Sequence, residues 1–185
     1  MTTVINLFGG AGVGKSTQAA LLFYHIKCLG HSVELVNEYV KEHIWSERTD
    51  VLRSTTDIKQ DYIFAKQHKK QYILEGKVDY IITDSPLILS AFYHIKDELY
   101  KPFEEYVLGC FNRFNNINLY LTRNMDLPYD ENGRLQDKAG AIQIDTEMIL
   151  SMEHWHLDYT NIKVGDEFIW EALQIIESLS GHTIH

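Results

Sequence analysis

The residues best suited to chemistry lie near the start of the chain. Gly9-Gly10-Ala11-Gly12-Val13-Gly14-Lys15-Ser16 fits the pattern G-x-x-x-x-G-K-[ST]. It follows an apolar run and opens a helical pattern, the context that separates a phosphate-binding loop from a chance glycine-rich turn. Glycines let the backbone curl so that successive N–H groups point at phosphate oxygens, and the helix N-terminus adds partial positive charge. In such a loop Lys15 reaches the β- and γ-phosphates and the Ser16 hydroxyl is a Mg²⁺ ligand. Thr17 is placed to bond the α-phosphate. Gly10, Ala11, Gly12, Val13, Gly14, Lys15, Ser16 and Thr17 therefore form the expected cofactor-binding set, for ATP and Mg²⁺. The motif does not specify what the triphosphate is used for.

Two acids close apolar runs elsewhere. Asp84 ends the run 78–83, where an aspartate holds Mg²⁺ directly or through water, and Glu38 ends the run 33–36. A kinase needs one acid for the metal and one group to accept or orient the proton of the attacking hydroxyl. Asp84 is assigned to metal or base, and Glu38 to base or substrate hydroxyl. The plainer alternative is a solvated or helix-capping carboxylate, Asp84 standing just before Ser85-Pro86. Arg123 follows another apolar run, and Arg134 lies further along a polar stretch, 123–138, that includes Pro128 and Asn132-Gly133. A long polar loop in a compact domain is usually functional. Arginines on a closing flap neutralise charge on a transferred phosphoryl group and exclude water; two solvated surface arginines are the alternative. The catalytic candidates are thus Lys15, Glu38, Asp84, Arg123 and Arg134, and the metal candidates Ser16 and Asp84.

Apolar runs and helical patterns must position these groups. Strands are expected over 4–8, 33–36, 78–83, 117–122 and 161–164, and helices over 15–30, 39–45, 55–74, 87–94, 102–114, 139–156 and 166–179. The first strand is interrupted only by Asn6. Alternation of this kind gives βαβ units and a parallel sheet covered on both faces. Ligands of such a sheet bind at the carboxyl ends of the strands, which is where the loop, Glu38, Asp84 and Arg123 fall. If the sheet order is 2-3-1-4-5, both acids face one γ-phosphate.

Composition narrows the classes. The 185 residues suit a single domain, with 45% hydrophobic and 23% charged residues. Lys plus Arg total 17 against 26 Asp plus Glu, a net charge of −9, so nucleic acid would need a local basic patch. No run of 18 apolar residues spans a membrane. The start, MTTVINLFGG, has no basic segment and does not read as a signal peptide, giving a cytoplasmic expectation. Cys28 and Cys110 are in no metal spacing and read as reduced, buried thiols. His154 and His156 do not share a helix face and read as structural. A GTPase would carry N-K-x-D after a late strand; Thr122-Arg123-Asn124-Met125-Asp126 is only a superficial likeness. The single D-x-x-G, Asp130 to Gly133, lies in the polar loop.

Four pieces together resemble small P-loop kinases: the phosphate loop, Val36-Asn37-Glu38-Tyr39-Val40-Lys41, Ile82-Thr83-Asp84-Ser85-Pro86-Leu87, and Pro128-Tyr129 before Asn132-Gly133-Arg134. The nearest are phage and bacterial proteins described as AAA-domain ATPases, similar to nicotinamide-riboside kinase and to nucleoside and nucleotide kinases. The resemblance spans roughly residues 2–180. It implies a three-layer α/β/α P-loop NTPase fold with a five-stranded parallel sheet in the order 2-3-1-4-5. It also implies Mg-ATP as donor, Glu38 or Asp84 near the acceptor hydroxyl, and a short lid bearing Arg123 and Arg134. One phage branch phosphorylates 5-hydroxymethyluracil already in DNA. Cellular deoxynucleoside kinases carry an arginine where this chain has Ser85.

In these folds the acceptor sits between strands two and three, here about residues 38–75. Aromatics there can stack on a base, Gln60 or Gln67 can read its edge, and Arg48, Arg53, Lys66, Lys69 and Lys70 can contact phosphates, a local basic patch that admits DNA as acceptor. Against this, Tyr62, Ala65, Lys69 and Ile73 recur at helical spacing and also read as a core face. The expectation is a single kinase domain over 1–185, with a nucleoside, nucleotide or modified base as acceptor. Nicotinamide-riboside kinase is the alternative within the class, and a nucleotide-dependent ATPase switch acting on a protein partner the alternative outside it. Self-association is left open.

Overall fold

The sheet is built from five short strands, all parallel: β1 (Thr3–Phe8), β2 (Val33–Val36), β3 (Tyr80–Thr83), β4 (Asn115–Thr122) and β5 (Thr160–Lys163), in the order β2-β3-β1-β4-β5. This computed structural model describes residues 1–39, 58–124 and 138–181. The helices among them are α1 (Lys15–Cys28), α2 (Ile58–Tyr72), α3 (Leu89–Phe92), α4 (Tyr100–Phe111), α5 (Lys138–His154) and α6 (Phe168–Ser180). This is the expected three-layer P-loop architecture.

Both sheet faces are covered, so the strands are apolar almost throughout. On one face Ile5, Leu7, Ile82, Leu119 and Ile162 pack against Leu22 and Ile26 of α1 and Phe168, Ala172 and Ile176 of α6. On the other, Val4, Phe8, Ile81 and Tyr120 meet Phe64 of α2, Val107 and Phe111 of α4, and Met148 and Met152 of α5. Asn6 interrupts β1 because it belongs to a buried amide ladder. Its Nδ2 donates to Oδ1 of Asn116 at 2.9 Å and of Asn118 at 3.0 Å. A second buried polar link ties two helices: Tyr100 Oη and Trp155 Nε1 donate to Glu104 Oε1 at 2.6 and 2.8 Å.

Several boundaries differ from expectation. β4 starts at Asn115 because its main chain pairs with Thr3 before the apolar run begins. β3 starts only at Tyr80, where pairing with β1 and β2 begins. The helix expected over 87–94 shortens to α3, entered through tight turns such as Leu89 N–H to Pro86 carbonyl at 3.0 Å. On α2 the face with Tyr62 turns outward, as does Ile73 just past its end, and Ile63, Phe64, Gln67 and Gln71 turn in, so the core reading of the Tyr62 face is corrected. Cys28 is exposed rather than buried, at the end of α1, while Cys110 is buried; both are free. The helix expected over 39–45 lies outside the described residues beyond Tyr39. No helix among the described residues is long and apolar enough to cross a membrane.

Candidate functional site

The loop between β1 and α1 lies at the carboxyl edge of the sheet and has the expected form. Gly14 precedes α1 with φ of 104°, a left-handed conformation that a side chain would strain. Gly10 is needed for another reason: a Cβ there would come within 2.7 Å of the Ala141 carbonyl oxygen and against the Asp145 carboxylate. Lys15 Nζ folds back across the loop, donating to the carbonyls of Gly9 at 2.6 Å and Gly10 at 3.0 Å. Burial pulls the Lys15 ammonium below the ordinary lysine range, while Glu38, Asp84 and Asp145 push it back up and Arg123 lowers it further. Thr17 is exposed in the first turn of α1, and Val13 packs inward.

On one side of the loop stand the ends of β2 and β3. The last paired residues are Val36 and Thr83, so Glu38 and Asp84 lie beyond the ladder. Asp84 replaces it. Its Oδ2 accepts from the Ser16 hydroxyl at 2.6 Å and its Oδ1 from the Glu38 N–H at 3.0 Å. The carboxylate is buried and does not cap α3, whose first turn has no side-chain cap. Gln67 ties the same strand ends from behind. Its Nε2 donates to the carbonyls of Asn37 at 3.5 Å and Ser85 at 3.4 Å and to Thr83 Oγ1 at 3.5 Å. Gln67 is 2% exposed, so it positions the strand ends instead of reading a base edge.

On the other side stand β4 and α5. Arg123 Nε donates to Asp145 Oδ2 at 2.8 Å, and Arg123 Nη2 to the Ala11 carbonyl at 2.8 Å. Asp145 Oδ1 accepts the Gly10 N–H at 2.5 Å. Arg123 is therefore docked against the loop. Sequence reasoning missed Asp145: a lone acid on a helix carries no spacing signal, and only the packing of α5 over the loop brings it in. Tyr93, at the end of α3, was missed as well. Tyr93 is partly exposed, and burial, with the charges of Glu38 and Asp145, pushes its phenol up to about 12.

Of the expected site residues, the structure brings together the loop, Ser16, Glu38, Asp84 and Arg123. Arg134, Arg48, Arg53 and the lid residues 125–137 lie outside the described residues. The Ser16 hydroxyl and Asp84 carboxylate are hard oxygen donors beside a phosphate cradle, and Mg²⁺ takes one or two such protein ligands together with phosphate oxygens. The residues present fit that ion. Among the described residues no cluster of three or more His, Cys, Asp or Glu is placed to hold another metal.

A protein-family model described as AAA domain matches residues 4–167 of this chain. The chain belongs to that AAA domain family. Two solved structures share its fold: NadR protein in complex with NR, at a TM-score of 0.66 and 13% identity, and NadR protein in complex with NAD and AMP-PNP, at 0.72 and 12%. Each match covers 100% of this chain but only 52% and 51% of those chains, so this chain spans about half their length. No curated protein matches the sequence. Family and fold agree on a P-loop nucleotide-binding domain, with its loop at the edge where Glu38 and Asp84 converge.

Proposed function

We propose that the protein is an ATP- and Mg²⁺-dependent kinase that transfers the γ-phosphoryl group to a hydroxyl of a nucleoside, nucleotide or modified base, 5-hydroxymethyluracil in DNA included. The observation that carries this reading is the Asp84 bridge. One carboxylate links the loop hydroxyl of Ser16 to the main chain of Glu38, so a metal ligand and a second acid meet beside one phosphate cradle.

The loop N–H groups and Lys15 hold the β- and γ-phosphates. Ser16 and Asp84 would hold Mg²⁺, which when bound would supply charge neutralisation at those phosphates. Glu38 or Asp84 takes the proton of the acceptor hydroxyl as its oxygen forms the new P–O bond and the bond to the ADP oxygen breaks. Arg123 is fixed by Asp145 where it faces the loop, and Arg134 joins it from a lid over about 123–138. The acceptor occupies the region over about 38–75. The whole chain acts as one domain, in the cytoplasm.

Nicotinamide-riboside kinase is the second reading, favoured by the shared fold with NadR in complex with NR. Transfer of labelled γ-phosphate separates the readings, with nucleosides, nucleoside monophosphates, nicotinamide riboside and DNA with or without hydroxymethyluracil as acceptors. Lys15→Ala is the blank. A labelled nucleoside, nucleotide or DNA product supports the first reading, and a labelled nicotinamide riboside product the second. Hydrolysis stimulated only by a protein partner, with no labelled acceptor, overturns both in favour of an ATPase switch.

A further inference from the structure

Three loop carbonyls accept from cations: those of Gly9 and Gly10 from Lys15 Nζ, and that of Ala11 from Arg123 Nη2. The Gly9 carbonyl differs from the others in what stands behind it. Gly9 C=O and Gly10 N–H belong to a single trans peptide, so they point in opposite directions. The carbonyl accepts from Lys15 at 2.6 Å, and the N–H donates to Asp145 Oδ1 at 2.5 Å. A flip of this unit would present an N–H to the ammonium instead of an oxygen. The residues on both sides of the bond are glycines, and Gly9 has φ of 136°. No Cβ hinders the flip. The Asp145 carboxylate opposes it, because a charged acceptor on the α5 side holds the N–H toward itself.

Asp145 is well anchored for this task. It shares a face of α5 with Ala141, Met148 and Met152, all fully buried. Its main-chain carbonyl accepts from Tyr120 Oη of β4 at 3.0 Å. Its second carboxylate oxygen, Oδ2, accepts from Arg123 Nε at 2.8 Å. Gly10 supplies the room. A Cβ there would lie 2.5 Å from Asp145 Oδ1 and 2.7 Å from the Ala141 carbonyl oxygen, so the bare Gly10 is what lets α5 come this close.

We infer that Asp145 is a positioning residue for Lys15: its carboxylate fixes the Gly9–Gly10 peptide, and the carbonyl of that peptide holds the Lys15 ammonium where the β- and γ-phosphates of a nucleotide arrive. This goes beyond tying the loop to β4, which the Arg123 pair alone would do. It rests on the loop as a nucleotide site and not on phosphoryl transfer. Binding without transfer therefore sinks the kinase reading and leaves this one standing.

The test titrates AMP-PNP against wild type, Asp145→Asn and Asp145→Leu, each with Lys15 intact and with Lys15→Ala. Melting temperatures without nucleotide confirm folding. Asn keeps a carbonyl acceptor for the Gly10 N–H and Leu has none, while both lose the charge that pairs with Arg123. Asp145→Asn is expected to weaken binding about threefold and Asp145→Leu about tenfold or more, the scale of a charged hydrogen bond. In the Lys15→Ala background both losses shrink to about twofold or less, because groups that act through one contact are not additive. Equal losses for Asn and Leu assign the effect to the Arg123 pair and overturn the inference. So do losses of the same size with and without Lys15, an unchanged affinity in Asp145→Leu, or no AMP-PNP binding by the wild type. If Asp145→Leu does not fold, Asp145→Asn with and without Lys15 decides. If Lys15→Ala binds too weakly to titrate, the order of Asn and Leu decides.

Discussion

Two aspartates flank the phosphate loop, and each joins two elements with its two oxygens. Asp84 comes from the end of β3 and accepts from the Ser16 hydroxyl and the Glu38 N–H. Asp145 comes from the middle of α5 and accepts from the Gly10 N–H and the Arg123 guanidinium. Their partners differ in kind. Asp84 meets a hydroxyl that is itself a hard oxygen donor, so its charge is placed to hold a cation beside the loop. Asp145 is occupied by a main-chain donor and a fixed cation, so its charge is spent on holding the loop and β4 together. On the proposed reading the same side chain serves chemistry on one flank and scaffolding on the other.

The contrast predicts different kinds of loss. Asp84→Asn keeps the shape and removes the charge proposed to hold Mg²⁺; turnover is expected to fall by about 10²–10³-fold, the scale of removing one preorganised electrostatic group. Steady-state kinetics with a Mg²⁺ titration checks it, and a loss confined to melting temperature would erase the distinction. Asp145→Asn breaks an ion pair with 10% and 17% side-chain exposure. It costs stability of about 1–3 kcal/mol, as for a buried charged hydrogen bond, and loosens nucleotide binding more than it slows turnover. Thermal melts and nucleotide titrations read both effects.

The flank of Asp84 was legible because an acid closing an apolar run falls at the carboxyl edge of a parallel sheet whatever the rest of the chain does. The glycine–lysine–serine spacing was legible for the same local reason. The strand order came from resemblance to a family and is borne out by the structure. Asp145 was illegible because its position depends on how α5 crosses the loop, a tertiary fact with no local pattern. Gln67 was visible but misassigned: helical spacing around Tyr62 offered the wrong inward face, and the buried amides Gln67 and Gln71 took the place of apolar residues. Asn6 broke an apolar run for a partner about 110 residues away, again beyond any local window.

Smaller effects sharpen the comparison. Gln67→Leu removes the donors that hold Asn37 and Ser85 from behind. Hydrogen exchange at the Glu38 N–H then quickens and turnover drops about tenfold, while melting temperature changes little because a buried amide oxygen without a partner, Gln67 Oε1, is also removed. A lower melting temperature with unchanged exchange would make Gln67 merely structural. Furthest from the site is Glu104. Burial alone would raise its carboxyl, but the Tyr100 and Trp155 hydrogen bonds, with His154 and Lys96 nearby, hold it below its ordinary 4.5. A depressed carboxyl stabilises the fold above that ordinary value, and the contribution is lost as pH falls through the folded value. Glu104→Gln lowers stability near neutral pH by about 1–2 kcal/mol and flattens the acid limb of a melting-temperature profile, leaving turnover at neutral pH within about twofold.

Following the γ-phosphate of labelled ATP in the presence of the acceptor panel, with wild type and Asp84→Asn side by side, separates phosphoryl transfer from hydrolysis. Label is expected on the acceptor, matched mole for mole by ADP, and nearly lost in the variant. Label appearing only as inorganic phosphate, at a rate indifferent to every acceptor, would contradict the kinase reading.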